Sequence, residues 1–280
     1  MKEQKLFKSK TGDWVTCSDI LFALDNVKAA DSDILYMHTG MTFGLPNLEL
    51  SRQELLAIIY ELIDSLSIQS LLVPVFTFSF CNQEGFNRQT SSSKMGALNE
   101  FIRKLPQAMR SIDPLMSSVL IGKDRYLVEG LGKHSIGKES TFDKLHSCKK
   151  RVKFLFLGTT VSECFTYTHY VESLLRSPYR YDKEFTGKII DEDSSWIDAY
   201  SLFVRYEGVI PATDNKLEKT LLENGSLLKL KCGDSSIACV SEPDAFSTII
   251  HQLEQNEYAY INFDPKNKNH YFNVKNMVAL

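Results

Sequence analysis

The stretch RVKFLFLGTT (residues 151–160), followed by FTYTHYVE (165–172), decides how the chain should fold. The apolar run 151–157 has the length and composition of a buried strand, and it ends at Gly158. The second stretch predicts a helix over residues 165–175. A strand that passes through a glycine turn into a helix is the repeating unit of layered α/β proteins.

The same alternation of strand and helix extends toward the N-terminus. Residues 33–38 (DILYMH), 70–78 and 117–121 are apolar runs of strand length. Ser51 and Glu54 have the spacing of a capping box and predict the start of a helix. The apolar positions of that helix follow an i, i+3, i+4, i+7 pattern: Leu55, Ile58, Ile59 and Leu62.

Later parts of the chain are more varied. Ser93 is predicted to cap a helix that contains Leu98 and Ile102. After Pro178 the pattern becomes polar and irregular, with an acidic run at 191–193. Further segments predict a helix, two strands and a last helix: 214–223, 226–231, 235–240 and the residues after Pro243. We expect one α/β domain over residues 1–280, with a layered mixed or parallel sheet flanked by helices.

Composition and charge exclude several classes of protein. The net charge of -3 and the pI near 6.1 lack the basic excess of a nucleic-acid binder. No apolar run at the N-terminus has the length of a signal peptide, and none elsewhere approaches the roughly 20 residues of a membrane helix. The six cysteines have no C-x-x-C pair or disulfide-like spacing. We expect a cytoplasmic enzyme with free thiols, no nucleic-acid partner and no membrane association.

Three strand ends should meet at one edge of the sheet, where open α/β proteins bind ligands. They are residues 38–40, residues 74–79 and the turn at Gly158. His169 and Glu172 follow that turn and are three positions apart, so a helix places them on one face. A carboxylate beside an imidazole fixes the tautomer and increases the basicity, as a general base requires. The alternative for this pair is an ordinary solvated contact.

The segment 91–96 (SSSKMG) combines hydroxyls, a cation and a glycine at a predicted helix start. Backbone N–H groups and the positive end of a helix suit a phosphate there, and Arg110 and Ser111 could add contacts. The alternative is a capped helix beside a surface arginine. Neither a Walker loop nor a G-x-G-x-x-G motif occurs, which disfavours those nucleotide-binding folds.

Cys164 lies five residues before His169, which leaves a cysteine–histidine nucleophile as an alternative. That pair would belong to an amidase or a thioesterase, but no sequence signature of such an enzyme accompanies it. The six histidines are scattered and H-E-x-x-H is absent, so we expect no metal.

Five blocks of sequence, in order, resemble the aminoglycoside 3-N-acetyltransferase family. They are LLVPVFTFSF, SSSKMGALNEFIRKLPQAMRSIDPLMSSVLIG, GKHSIGKESTFDKL, KFLFLGTT and FTYTHYVE. Their order and spacing match over about residues 33–175. The resemblance implies the α/β fold of this family, acetyl-CoA as the acyl donor, and direct transfer of the acyl group to an amine without an acyl-enzyme.

The resemblance also implies roles for single residues. The histidine of the family's H-x-x-E block corresponds to His169, the general base, with Glu172 beside it. The family's P-T-F-T segment lines the thioester region and corresponds to Phe76 and Thr77, and Thr77 is a candidate donor to the oxyanion. The S-x-x-M-G and R-S blocks, with the cation in the first of them, are expected to bind CoA: Ser92, Lys94, Met95, Gly96, Arg110 and Ser111. His134 is expected in the substrate pocket.

The chain departs from the family after its first strand, where His38-Thr39-Gly40 replaces the usual H-S-S. A second carboxylate partner of the histidine should lie beyond residue 180, and Asp198 and Glu207 are the candidates. The acceptor-binding portion is expected in about 178–280.

The acceptor of the acyl group is expected to be an amino sugar. A polycationic aminoglycoside would need a strongly acidic pocket, which the run at 191–193 with Asp198 could supply. The net charge of only -3 favours a biosynthetic amino sugar, with nucleotide-linked sugars among the candidates. An aminoglycoside-resistance acetyltransferase is the alternative. A catalytically silent CoA- or sugar-binding protein is a third hypothesis, which the presence of both His169 and Glu172 disfavours.

Overall fold

A computed structural model describes residues 3–262 and shows strands and helices in alternation. The strands are β1 Lys5–Lys8, β2 Trp14–Thr16, β3 Ile34–Thr39, β4 Leu45–Pro46, β5 Ser70–Pro74, β6 Phe86–Asn87, β7 Met109–Arg110, β8 Ser118–Gly122, β9 Val152–Leu157, β10 Arg180–Asp191, β11 Ser194–Arg205, β12 Leu228–Cys232 and β13 Ser235–Ser241. The helices are α1 Cys17–Asn26, α2 Arg52–Asp64, α3 Ala97–Arg103, α4 Thr141–Ser147, α5 Val161–Cys164, α6 Tyr167–Leu174, α7 Lys216–Glu223 and α8 Glu242–Gln255. The end of the region 178–280, from residue 263 on, lies outside the described residues.

A seven-stranded mixed sheet forms the centre, with the strand order β12-β13-β9-β3-β5-β8-β7. Its middle strands β9, β3 and β5 run parallel, and antiparallel strands flank them on both sides. The predicted mixed α/β sheet flanked by helices is therefore confirmed. Parallel strands place their carboxyl ends at one edge, so β3, β5 and β9 bring the three predicted strand ends together there.

Helices cover both faces of the sheet, so the strands carry apolar side chains on both faces. Successive side chains of a strand point to opposite faces, and β5 follows this rule: Leu71 and Val73 join one buried cluster, whereas Leu72 joins the other. Helices α1, α2 and α3 contribute to the first cluster, and α4, α6 and α8 contribute to the second. Two-sided burial explains why these strands read as continuous apolar runs.

Helix α2 begins as the sequence predicts. The Ser51 Oγ accepts a hydrogen bond from the Glu54 N–H at 3.2 Å, and the Glu54 carboxylate accepts one from the Ser51 N–H at 2.8 Å. The prediction for Ser93 was wrong, because α3 begins only at Ala97, after Gly96 at φ 102°. The Ser93 Oγ accepts instead from the Met95 N–H at 3.0 Å, within the preceding loop.

The region after Pro178 is not irregular but forms a long antiparallel hairpin of β10 and β11. Its register runs from Arg180 opposite Arg205 to Asp191 opposite Ser194. The sequence hides this hairpin because much of β10 alternates between exposed and half-buried polar side chains. Strands with few buried positions lack the hydrophobic alternation by which a strand is recognised.

The ends of β3 and β5 are tied together by a buried amide. Asn99 on α3 accepts a hydrogen bond from the Thr39 hydroxyl at 2.6 Å and donates one to the Pro74 carbonyl at 2.7 Å. Gly40 follows at the end of β3, and a Cβ atom there would lie 2.4 Å from the carbonyl oxygen of Gly158. This close approach of two turns leaves no space for a side chain at residue 40.

None of the helices within residues 3–262 combines the length and the apolar content that crossing a membrane requires.

Candidate active site

The site is built around His169 and Glu172 on α6, one turn apart as the spacing predicts. The Nδ1 atom of His169 lies 2.6 Å from Oε2 of Glu172. The histidine side chain is 42% exposed, whereas the Glu172 side chain is only 2% exposed. A buried carboxylate therefore holds an imidazole whose other edge remains open.

Glu172 is kept ionised by its neighbours. The Arg180 Nε lies 2.9 Å from Oε2 of Glu172, and the Tyr179 hydroxyl donates a hydrogen bond to Oε1. Burial alone would raise the pKa of the Glu172 carboxyl, but the charge of Arg180 and the hydrogen bonds from His169 and Tyr179 lower it to about 2. The carboxylate is thus a fixed negative charge at neutral pH.

Two neighbours compete for the same ring nitrogen of His169. The Arg180 Nη2 lies 2.8 Å from Nδ1, and a guanidinium can only donate. Nδ1 can carry the proton and donate to Glu172, or it can be bare and accept from Arg180. The buried anion favours the first tautomer, which leaves the Nε2 lone pair free to act as a base.

Charge also sets the basicity of His169. Burial, and then repulsion by the Arg180 guanidinium, lowers the pKa of the imidazole below its ordinary value, although attraction to Glu172 opposes both effects. The ring is therefore neutral at physiological pH. A neutral imidazole with a free Nε2 can accept a proton directly.

Two cavities of about 320 Å³ each meet at His169. The α7 cavity is bordered by α5, α6 and the start of α7, and its polar lining includes Glu163, His169, Arg205, Asp214, Lys216 and Tyr260. The strand-end cavity lies at the carboxyl ends of β3 and β5, and its lining includes His38, Thr39, Phe76, Phe78, Met95 and Met116. His169, Cys164, Thr166, Glu163, Arg180 and Arg205 line both cavities.

Some residues predicted to contact the donor line the strand-end cavity, and others do not. Phe76 and Met95 contribute to its wall. Thr77 is not among the residues that line either of these two cavities, because its buried hydroxyl donates to the Pro114 carbonyl at 2.9 Å. The Thr77 hydroxyl, which was predicted to donate to the oxyanion, therefore donates to the protein backbone instead.

Arg110 and Ser111 are part of the scaffold as well. The Arg110 guanidinium is buried and donates to the Ser91 carbonyl at 2.6 Å and the Val75 carbonyl at 3.1 Å. The Ser111 Oγ accepts from the Ser118 N–H at 3.0 Å. These residues hold the 88–95 loop against the sheet. Three other predicted CoA contacts lie exposed on or beside that loop: Ser92, Lys94 and Gly96.

The predicted acceptor residues lie away from His169. The His134 Nε2 bonds to the Asp182 carboxylate at 2.8 Å, and the Asp198 carboxylate binds the Lys133 ammonium at 2.5 Å. Glu207 is exposed in the turn after β11. None of the three is among the residues that line the two cavities, and within residues 3–262 no hydrogen bond or ion pair joins Asp198 or Glu207 to His169.

The acidic run at 191–193 is also remote from the site. It forms the turn of the β10–β11 hairpin, where Asp191 pairs with Arg88 at 3.2 Å. The hairpin instead brings its other end to the histidine, since Arg180 begins β10 and Arg205 ends β11. Sequence reasoning missed both arginines because their proximity depends on the hairpin register.

A further polar atom at the site is the Nε2 of His38, a residue that the sequence places at one of the three strand ends without a role for its ring. The side chain is buried in the wall of the strand-end cavity, where it stacks on Phe156 with ring centroids 5.4 Å apart. This Nε2 has no hydrogen-bond partner within residues 3–262. Burial lowers the pKa of His38 to about 3, so the ring is neutral.

Cys164 borders both cavities but is a poor nucleophile. Burial raises the pKa of its thiol to about 12, and the Sγ donates to the Thr160 carbonyl at 3.3 Å. Because the thiolate is the reactive form, a protonated sulfur disfavours the cysteine–histidine mechanism. Across residues 3–262, no cluster of three or more metal-ligating side chains could hold an ion.

Solved structures share this fold. The YokD protein of Bacillus subtilis has a TM-score of 0.68 and 17% identity, and the match covers 91% of this chain and 96% of that one. Aminoglycoside acetyltransferase AAC(3)-IIb has a TM-score of 0.70 and 18% identity, with 86% and 97% covered. AAC-IIIb, solved as a binary complex with CoASH, has a TM-score of 0.70 and 17% identity, with 89% and 99% covered.

The sequence itself matches one family. The family model for aminoglycoside 3-N-acetyltransferase matches residues 65–254, or 190 of the 280 residues. No curated protein matches the chain. The chain belongs to the aminoglycoside 3-N-acetyltransferase family and is accordingly an acyltransferase, of a family whose donor is acetyl-CoA.

Proposed function

We propose that this enzyme transfers the acetyl group of acetyl-CoA directly to the amine of an amino sugar, with His169 as the general base. The observation that supports this most strongly is the position of His169, which is anchored on buried Glu172 and opens to two cavities at once. One cavity can hold the thioester while the other holds the amine. Such a ternary complex can contribute about 7 to 11 kcal/mol by replacing a bimolecular encounter.

The donor is assigned to the strand-end cavity. Its wall of Phe76, Phe78, Met95 and Met116 suits the apolar part of a pantetheine arm and an acetyl group. Thr39 also borders a mainly apolar cavity of about 390 Å³ that opens beside Gly96. The arm can therefore enter past the exposed 92–96 segment, where the Lys94 ammonium can meet a phosphate.

The acceptor is assigned to the α7 cavity, where Glu163 and Asp214 can attract an ammonium group. In the reaction, the bound ammonium first loses one proton to solvent. The Nε2 of His169 takes a second proton as the resulting amine nitrogen attacks the thioester carbonyl. The C–N bond forms, the C–S bond breaks, and the proton passes to the departing sulfur. We assign the hydrogen bond to the oxyanion to the Nε2 of His38, since Thr77 is committed elsewhere.

The acceptor we propose is a biosynthetic amino sugar, with nucleotide-linked sugars among the candidates. The lining of the α7 cavity balances three carboxylates with three cations: Glu163, Glu172 and Asp214 against Arg180, Arg205 and Lys216. A polycationic aminoglycoside requires a strongly acidic pocket. Its acetylation is the alternative function, and the balanced charge argues against it.

A donor assay tests this proposal. Release of free CoA thiol from acetyl-CoA would be measured with glucosamine, its phosphates, nucleotide-linked 2-amino sugars and aminoglycosides such as sisomicin. We expect turnover of an amino sugar, with the aminoglycosides poorer. Cys164→Ser should keep that turnover. Preference for the aminoglycosides would support the alternative, and loss of activity in Cys164→Ser would restore the cysteine mechanism.

A further inference from the structure

Two arginines face each other at the base of the β10–β11 hairpin. Arg180 and Arg205 are directly paired in the antiparallel register, so their side chains leave the same face of the sheet. Like charges placed opposite each other in this way repel. Arg180 is compensated, since it lies 2.9 Å from Glu172 and donates to the Phe203 carbonyl at 3.0 Å.

Arg205 has no such contact, although the charge of Glu172 attracts it from a distance. Within residues 3–262, its guanidinium makes no hydrogen bond and no ion pair, although the residue is half-buried. Burial, and then repulsion by Arg180, lowers its pKa. A partly desolvated cation without a partner is costly, so its position on the wall of the α7 cavity points to an anion supplied from outside.

The other charges of the cavity strengthen this reading. Lys216 also lines the α7 cavity, and its ammonium makes no ion pair with any described residue. The Glu163 carboxylate already accepts from Thr159 and Thr160 at 3.0 Å, and Glu172 is held by Arg180 and His169. Of the six charged side chains in the lining, all within the described residues, only Arg180 and Glu172 form an ion pair with each other. Arg205 and Lys216 are therefore left to meet an anion, and Glu163 and Asp214 are left to meet the amine.

We propose that Arg205, assisted by Lys216, forms a subsite that binds a carboxylate or phosphate group of the acceptor. This rests on the proposed function and narrows it to amines that also carry an acidic group. The phosphates of CoA are not the anion, because the whole pantetheine arm separates them from the thioester, whereas Arg205 borders His169 in both cavities.

Matched acceptors test the subsite. Kinetics would compare glucosamine, which has no anion, with glucosamine 6-phosphate, glucosamine 1-phosphate and 2-amino-2-deoxyglucuronic acid. The wild-type enzyme should favour at least one anionic acceptor. Arg205→Gln should lower kcat/KM for that acceptor by about 10- to 100-fold, mainly through its KM, as expected for the loss of a charged hydrogen bond. Arg205→Lys should recover part of the loss.

Two further variants keep the test decisive if the Arg205 variants fail to fold. Lys216 lies at the start of α7, away from the hairpin, and Lys216→Gln should also raise the KM for the same anionic acceptor. Lys219→Gln removes an exposed charge one turn along α7 and serves as the matched control. Comparison of the two glucosamine phosphates with 2-amino-2-deoxyglucuronic acid shows whether the subsite prefers a phosphate or a carboxylate.

Calorimetric binding of the anionic acceptors to the CoA-saturated enzyme separates this inference from the proposed function. Binding that depends on Arg205, without any acetyl transfer, would overturn the function but support the subsite. Acetylation of glucosamine and of the anionic acceptors with equal kcat/KM would overturn the subsite but support the function. Failure of every anionic acceptor to bind would also overturn the subsite.

Discussion

The Nδ1 atom of His169 lies 2.6 Å from Oε2 of Glu172, and this carboxylate is 2% exposed. The buried anion determines which ring nitrogen carries the proton. It leaves the Nε2 of His169 without a proton, on a residue that lines both cavities. The base is thus oriented by a buried charge.

Replacing Glu172 with Gln should lower kcat by at least about tenfold, because the ring is no longer fixed in the tautomer that exposes a basic Nε2. The KM for acetyl-CoA should change little, since Glu172 lines only the α7 cavity. Steady-state kinetics would measure both constants, with Glu129→Gln at a distant exposed ion pair as the control. An unchanged kcat would contradict the orienting role.

The pH dependence of kcat/KM should show the lowered pKa of His169. The neutral imidazole is the active form, so activity should rise with pH through a midpoint below the ordinary 6.5 and stay level above it. Arg180→Gln removes the repulsion that lowers this pKa, so the midpoint should move to higher pH. A midpoint that is the same in both proteins would exclude Arg180 as a cause.

Replacing His38 with Phe should lower kcat by about 100-fold, because the ring nitrogen proposed to bond the oxyanion is lost. Folding should survive, since phenylalanine preserves the stacking on Phe156 and removes an unpaired buried nitrogen. Unfolding by urea would check stability, and His251→Phe on the exposed side of α8 is the control. Full activity in the His38 variant would contradict this role and would mean that another group donates to the oxyanion.

Gly40→Ser tests whether residue 40 has space for a side chain. The new Cβ would meet the Gly158 carbonyl oxygen at 2.4 Å, and backbone atoms cannot easily give way. We expect a loss of about 1 to 3 kcal/mol in the free energy of unfolding. Gly85→Ser is the matched control, since the nearest atom there is 3.5 Å away. Equal stability of the two variants would exclude the steric explanation.

The strands of the central sheet could be predicted because burial on both faces leaves an unmistakable apolar run. Leu71, Leu72 and Val73 show this, since neighbouring residues enter different clusters. The hairpin could not be predicted in the same way, because much of Arg180–Asp191 alternates between exposed and half-buried polar side chains. The hydrophobic pattern of a segment indicates which of its side chains are buried, and a polar hairpin buries few side chains.

The same limit applies to the site. His169 and Glu172 could be paired from the sequence because both lie on one helix, where spacing determines distance. Arg180 and Arg205 are 25 positions apart in the chain, and only the hairpin register makes them neighbours. Asp198 was a poor candidate for the second partner for the same reason, since that register places it opposite Gly187 in the middle of the hairpin.

The most direct test of the central claim is the single-turnover rate of acetyl transfer in His169→Gln, with the CoA dissociation constant measured in parallel. If His169 is the base, the rate should fall by about 100- to 10,000-fold while CoA binds as tightly as before. A rate close to that of the wild-type enzyme would contradict the account.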